Sequence, residues 1–226
     1  MKCNYEFCSM HILLVSATTF EIAPTLLFLE KEQYKLNGHT VEVLITGVGQ
    51  VNTTYFLTVN LHNKKADLVI QAGIAGTFVH RLNLSQTVLI KKDTFGDVGM
   101  EEKQKFTTIF DAGFADKDDF PFNNGWLVNT NELLNQLLLP SVNAITVNKV
   151  SDSLLQRQQL KDHFTPEIES MEGAAFHYVC LQQKISFIQI RSISNAVGER
   201  DKSKWAIKDA TVNLNIEIQK LINSLP

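Results

Sequence analysis

Apolar residues fall along this chain in two alternating rhythms. Short runs with both faces apolar recur at residues 12–15, 41–46, 68–72, 87–90, 144–147 and 187–193, the signature of strands buried on both sides. Between them, residues 21–31, 51–64, 154–163, 171–182 and 205–225 carry apolar side chains three and four positions apart, which predicts helices with one buried stripe. The alternation predicts an α/β fold around a central, largely buried sheet. No Gly/Ser- or Pro-rich linker and no repeat divides it, so residues 10–226 are expected to form a single domain, preceded by an extension over residues 1–9. Met10 is an alternative start.

Residues 95–126 break the rhythm. Phe95, Phe106, Phe110, Phe114, Phe120, Phe122 and Trp126 are separated there by Asp, Gly and Asn, and six of the chain's 14 Phe fall in this one insertion. A long connection of low regularity inside a compact domain is usually functional or disordered, and this one is too aromatic for disorder. Two uses are open: a peripheral core or subunit interface, or a lid over an apolar ligand. They coexist if a partner subunit closes the pocket.

Composition narrows the function by exclusion. Lys plus Arg number 21 against 24 Asp plus Glu, a formal charge of -3, so no basic surplus exists to neutralise a phosphate backbone and nucleic acid is not expected as a partner. No run is long enough to span a bilayer, so no membrane association is expected. Cys3, Cys8 and Cys180 form no CxxC, and the six His show no ligand spacing. No disulfide framework, metal or other cofactor is therefore expected, and a reducing cytoplasm suits the chain.

Four motifs carry candidate chemistry. Gly47-Val48-Gly49-Gln50-Val51-Asn52 follows a strand and opens a helix, yet Asn52 replaces the third glycine of a dinucleotide fingerprint and Asp67 begins a strand. It reads as a tight turn, which removes the case for a nicotinamide oxidoreductase. Gly73-Ile74-Ala75-Gly76 ends a strand with small residues, where backbone at Ala75 and Gly76 can approach a ligand. Glu172, in Glu169-Ser170-Met171-Glu172-Gly173-Ala174-Ala175, begins a helix, where an anionic carboxylate is favoured and can accept from a vicinal diol. In Arg191-Ser192-Ile193-Ser194-Asn195 a buried strand runs out into polar groups at its carboxyl end, where α/β folds bind ligands.

In this order and spacing the glycine motif, the ESMEGAAF helix start and RSISN resemble the nucleoside phosphorylase/nucleosidase superfamily, over almost the whole chain from Met10. Within it, Phe95-Gly96-Asp97-Val98-Gly99, Phe120-Pro121-Phe122-Asn123-Asn124-Gly125-Trp126 and Arg200-Asp201-Lys202-Ser203-Lys204-Trp205 most resemble the futalosine hydrolases. The resemblance implies a three-layer fold with a central mixed sheet flanked by helices, a homodimer or larger homo-oligomer, and a small nucleoside as substrate. The implied activity is N-glycosyl hydrolysis of futalosine to hypoxanthine and dehypoxanthinylfutalosine, a step in menaquinone biosynthesis. The alternative is a methylthioadenosine/S-adenosylhomocysteine nucleosidase or another purine nucleoside phosphorylase or hydrolase.

Residue roles follow from that resemblance. Gln71 and Ile74 stand where phosphorylases carry a phosphate-binding Arg and Ser, whereas Ala17, Glu21 and Ile22 match the nucleosidase pattern that supplies a general base, so Glu21 is the expected base. A pure nucleoside-binding relative would have no use for it. Glu172 is expected on the ribose hydroxyls, Met171 against the sugar, and Ala75, Gly76, Ser194 and Trp205 around the ligand. Asn195 stands where adenine-releasing enzymes have Asp. Its amide can accept from N7–H and donate to a 6-oxo group, which selects a 6-oxopurine. Phe120, Phe122 and Trp126 are expected to wall the C5' substituent, with Arg200, Lys202 or Lys204 meeting its carboxylate.

Overall fold

The computed structural model describes residues 9–225, so Cys3, Cys8 and all but the last residue of the expected N-terminal extension lie outside the described residues. The first half of the chain forms β1 (His11–Ser16), α1 (Thr19–Lys31), β2 (Lys35–Leu36), β3 (His39–Ile45), α2 (Gln50–Asn63), β4 (Leu68–Thr77) and β5 (Thr87–Asp93). Next come β6 (Gly99–Glu102), β7 (Lys105–Thr108), β8 (Leu127–Val128), α3 (Leu133–Gln136) and β9 (Ser141–Thr146). The last part holds α4 (Leu154–Phe164), β10 (Ile168–Ser170), α5 (Gly173–Gln183), β11 (Ser186–Ala196), a 3-10 turn (Lys202–Lys204) and α6 (Ile207–Ser224).

Strand alternation sorts the core into two faces. Ile12 and Leu14 of β1, Leu68 and Ile70 of β4, and Ile188 and Ile190 of β11 pack under α1 and α6, against Leu29, Leu214 and Ile218. Their neighbours Leu13, Val15, Val69 and Phe187 face Leu57 and Leu61 of α2 and Phe176 and Val179 of α5. Three layers result. The strand order is β10-β9-β5-β11-β4-β1-β3-β2, with β8 on β5. Parallel pairs β1–β3, β1–β4 and β4–β11 sit beside the antiparallel pair β11–β5, so the sheet is mixed as expected.

Two strands outrun their sequence signal. The β4 strand continues through the glycine motif to Thr77, and β11 continues through RSISN to Ala196. Beyond Gln71, where β1 leaves it, β4 takes β10 as a new partner through Gly76↔Glu169 and Thr77↔Ile168. Strands β4, β11, β5, β9 and β10 thereby close on one another. The aromatic insertion contributes the β6–β7 hairpin and a series of turns. Among the described residues no helix is long and apolar enough to cross a membrane.

A polar cluster sits inside this core. Asp93, at the end of β5, is fully buried and accepts from Thr94 N (2.8 Å), Thr146 Oγ1 (2.9 Å) and Gln189 Nε2 (3.3 Å). Burial pushes its carboxyl up to about 7, against the pull of those bonds and of Arg191. His177 of α5, its Nδ1 3.0 Å from the Leu127 carbonyl, is pulled down to about 4 by burial. The two slopes oppose each other. Below pH 7 Asp93 takes up a proton in the fold before it does in the unfolded chain, so its contribution to stability rises on acidification toward pH 4. His177 is protonated first in the unfolded chain, so its contribution falls between about pH 6.5 and 4. Removing the first term leaves the second uncompensated. Asp93→Asn is expected to lose stability more steeply than wild type between pH 6.5 and 4.5 in urea titrations, and parallel curves would show that Asp93 holds no extra proton.

Candidate active site

A cavity of about 380 Å³ opens where β4, β10 and β11 end. The β4 backbone runs along its floor and serves as a ruler, since a strand advances about 3.3 Å per residue. Just before this floor, at Gly73, a Cβ would lie 2.4 Å from Arg191 Nη1 and 2.9 Å from Glu21 Oε1, so a larger residue would push both of these side chains out of place. Three residues on, at Gly76, a Cβ would lie 3.3 Å from Asn195 Nδ2. The cavity thus has an acidic end, at Glu21 and Glu172, and an amide end, at Asn195.

Glu21 is buried at the acidic end and clamped on all sides. Thr18 caps α1 and shares a reciprocal capping box with Glu21, the arrangement that a Thr-x-x-Glu spacing favours. Glu21 Oε2 accepts from Thr18 N (3.1 Å), Thr18 Oγ1 (2.9 Å) and Ser16 Oγ (3.3 Å), while Oε1 accepts from Ile74 N of β4 (3.1 Å). The backbone beneath is pinned as well. Helix α1 is broken at Ile22 and contains Pro24, which leaves main-chain groups without helical partners. Asn215 of α6 takes them up, donating to the Glu21 carbonyl (2.8 Å) and accepting from Thr25 N (2.9 Å).

Glu172 is the N-cap residue of α5, but its side chain makes no capping bond. It turns instead to Gly49 N (3.1 Å) and to Arg191 Nη1 (3.3 Å). Gly49 has φ +96°, a conformation that favours glycine, so the motif read as a plain turn also supplies the amide that holds Glu172. Arg191 is 1% exposed, and its other nitrogen Nη2 donates to Gln71 Oε1 at 2.9 Å. Gln71 is therefore committed to Arg191. Burial pushes the Glu172 carboxyl above its usual range, with Glu21 adding to the rise; Arg191 and the Gly49 amide pull it back.

At the amide end, Asn195 Oδ1 accepts from Ser194 Oγ (2.7 Å) and Nδ2 donates to the Ala196 carbonyl (2.9 Å). Each amide atom keeps one further hydrogen-bonding site. Ala75, Gly76, Met171, Ser194 and Trp205 all line the cavity, as do Ser151 and Glu169. Glu169 is 6% exposed and accepts from both the backbone N–H (3.0 Å) and the hydroxyl of Ser151. Arg200 lines the rim at this same end, shared with a larger hollow of about 770 Å³ bounded by Met100, Phe106 and Leu155. Among the described residues no group of three or more His, Cys, Asp or Glu side chains is placed to hold a metal ion.

The structure does not bring the expected aromatic wall to this cavity. Phe122 packs on Phe110, Phe95 and Tyr178 with centroids 5.2 to 6.3 Å apart, and Trp126 lies against Phe164 under the Lys92 ammonium. Phe120 is 63% exposed. The rings of Phe95, Phe110 and Phe122 pack on one another instead. Lys202 and Lys204 are exposed beyond the rim, Lys204 pairing with Glu199 at 3.0 Å. Conversely, the roles of Arg191, Gln71, Gly49, Glu169 and Ser151 had no local signal.

Comparison with known proteins yields one matching family, described as the phosphorylase superfamily, over residues 28–225. A futalosine hydrolase of Thermus thermophilus is 28% identical over 219 residues, 93% of this chain and 94% of that protein. A 5'-methylthioadenosine/S-adenosylhomocysteine nucleosidase of Anoxybacillus flavithermus is 25% identical over 207 residues, 84% of this chain and 83% of that protein. Among solved structures, a mutant Helicobacter pylori MTAN with 5'-methylthioadenosine in its active site superposes with a TM-score of 0.79 at 16% identity, covering 96% of this chain and 100% of that one. That likeness establishes the fold.

Arg191 is the piece whose removal leaves the most groups stranded. Replacing one member of a buried ion pair strands the other and costs about 3–5 kcal/mol. Arg191→Met is expected to lose that much in chemical denaturation, and a loss under about 1 kcal/mol would mean that Glu172 and Gln71 find other partners.

Proposed function

Because the chain belongs to the phosphorylase superfamily, we propose that it is an N-glycosyl hydrolase cleaving futalosine to hypoxanthine and dehypoxanthinylfutalosine. The observation that carries the choice of water over phosphate is the placement of Glu21. Its carboxylate takes the Ile74 amide and stands beside Arg191 at Gly73, so an incoming phosphate would meet an anion, and the buried Arg191 is already engaged with Glu172 and Gln71. Water suits that position.

Cleavage of an N-riboside passes through an oxocarbenium-like sugar. In this reading Glu21 takes the proton of the attacking water, its four donors fixing the direction of the free lone pairs. Glu172 accepts from the ribose hydroxyls while Arg191 offsets its charge, and Met171 covers the sugar. The base lies over Gly76. As the C1'–O bond to water forms and the C1'–N9 bond breaks, N7 takes a proton from solvent; Asn195 accepts from that N7–H through Oδ1 and donates to O6 through Nδ2, so a 6-aminopurine would face it with donor against donor. This pairing favours futalosine over methylthioadenosine, the substrate named for relatives of comparable identity.

The C5' substituent would leave past Glu21, where Phe20 and Val48 line the cavity yet stand largely exposed. Beyond them α2 presents Val51 (79% exposed) and Tyr55 (62%), bordering a shallow hollow with Phe95. We take this face as the surface of a homodimer that completes the pocket, the role left to the aromatic insertion being at that contact. The cytoplasm is the compartment proposed, in keeping with the free, buried thiol of Cys180.

Purified protein incubated with futalosine, inosine, methylthioadenosine and S-adenosylhomocysteine should release hypoxanthine from futalosine fastest, with Glu21→Gln lowering kcat by at least about 100-fold. Adenine release as the main activity, or full activity in Glu21→Gln, overturns the reading. Light scattering should give a dimer that Val51→Asp/Tyr55→Asp converts to monomer; an unaltered mass would place the interface elsewhere.

A further inference from the structure

The residue that opens a helix ordinarily spends its side-chain oxygen on one of the helix's own first amides. Glu172 opens α5 and does not. Its two oxygens accept from Gly49 N and Arg191 Nη1 instead, and the residue lines the cavity. The amides it leaves are served by two hydroxyls from neighbouring strands. Ser170 Oγ of β10 accepts from Gly173 N at 3.3 Å, and Thr146 Oγ1 of β9 accepts from Ala174 N at 2.7 Å. Ala174 is the second residue of the helix, a position to which a capping side chain reaches.

Thr146 can accept there because its own hydrogen is engaged elsewhere. The residue is fully buried, and its hydroxyl donates to Asp93 Oδ1 at 2.9 Å. A hydroxyl carries one hydrogen and two lone pairs, so that bond turns a lone pair toward the helix. Asp93 is held in turn by Thr94 N and Gln189 Nε2. The fit is close: a Cβ on Gly173 would collide with Asp93 Oδ2 and Gln189 Nε2. The head of α5 therefore rests directly on the carboxyl group that orients Thr146.

We infer that Thr146, oriented by Asp93 and joined by Ser170, caps α5 in place of Glu172, and so is a positioning residue that keeps the Glu172 carboxylate turned to the ribose hydroxyls. This rests on the role given to Glu172 above and deepens it. Without the Thr146 hydroxyl, the Ala174 N–H would be buried without an acceptor, a costly state. The carboxylate two residues back is that of Glu172. It would turn to the helix at the expense of the ligand.

The test is calorimetric binding of 9-deazainosine, whose carbon–carbon link to the sugar resists hydrolysis, and of its 2',3'-dideoxy counterpart, with free hypoxanthine as control. Wild type should bind the diol at least about 10-fold more tightly than the dideoxy analogue, as hydrogen bonds to a charged group imply. Thr146→Val, which keeps the shape and loses the hydroxyl, should shrink that preference about 3- to 10-fold while hypoxanthine affinity stays within about 2-fold. Thr146→Ser should keep the wild-type preference. Ser170→Ala should shrink it severalfold, and decides the matter in the same way if Thr146→Val does not fold. An unchanged preference in folded Thr146→Val, an equal fall in hypoxanthine affinity, or a loss of preference in Thr146→Ser as well overturns the positioning role and leaves the role of Glu172 standing. A wild-type protein that binds the two analogues equally, or binds neither, overturns both.

Discussion

The buried guanidinium of Arg191 is the constraint around which the site is organised. A cation that is 1% exposed must find acceptors inside the fold or cost several kcal/mol, and Arg191 finds them on two other elements, Gln71 of β4 and Glu172 at the head of α5. These contacts tie β11, β4 and α5 together at one point. They also explain Gly73: a Cβ there would displace the guanidinium and the Glu21 carboxylate. Burial pushes Glu172 toward protonation and Glu21 pushes it further, and Arg191 is the group that draws it back. Two carboxylates, one from α1 and one from the head of α5, can share the acidic end because this cation lies beside them.

The rest of the cavity is a strand used as a bench. In the proposed reading the reacting centre lies at the acidic end and the base at the amide end, with side chains from α1, β10, α5 and β11 lining the cavity beside β4. Each is held by a second residue. Asn215 restores the main-chain bonds lost at the break in α1 under Glu21, Ser194 orients Asn195, and Ser151 orients Glu169. Thr146 links the Asp93 cluster to the Ala174 amide at the start of α5. The core polar network thus sets the helix that presents Glu172. Held this way, the groups need little rearrangement on binding, which is how positioning lowers a barrier.

Much of this was legible along the chain. The apolar runs gave β1, β3 and the helices because burial on two faces, or on one stripe, writes itself into local periodicity. Glu21, Glu172 and Asn195, picked out by motifs and by the family resemblance, line one cavity. The ends of β4 and β11 were not legible: Gly73, Gly76 and Ser194 look like turn residues, and they are strand residues because the distant ends of β4 and β11 pair with each other, with a bulge between Ile193 and Asn195, and β10 joins β4 at Gly76 and Thr77. Arg191 and Gln71 are 120 residues apart, so nothing local marks their pairing. The Phe count marked the aromatic insertion correctly as unusual, but composition cannot say which way a ring faces, and the rings of Phe110 and Phe122 face each other.

The central claim is that a carboxylate, placed where an attacking anion would otherwise be received, makes water the nucleophile. The most direct test is turnover of futalosine in ¹⁸O-labelled water with phosphate present, followed by mass analysis of the sugar product. The account predicts one ¹⁸O on the anomeric carbon of every product molecule and no sugar 1-phosphate. A phosphorylated product, with the anomeric carbon unlabelled, would contradict it.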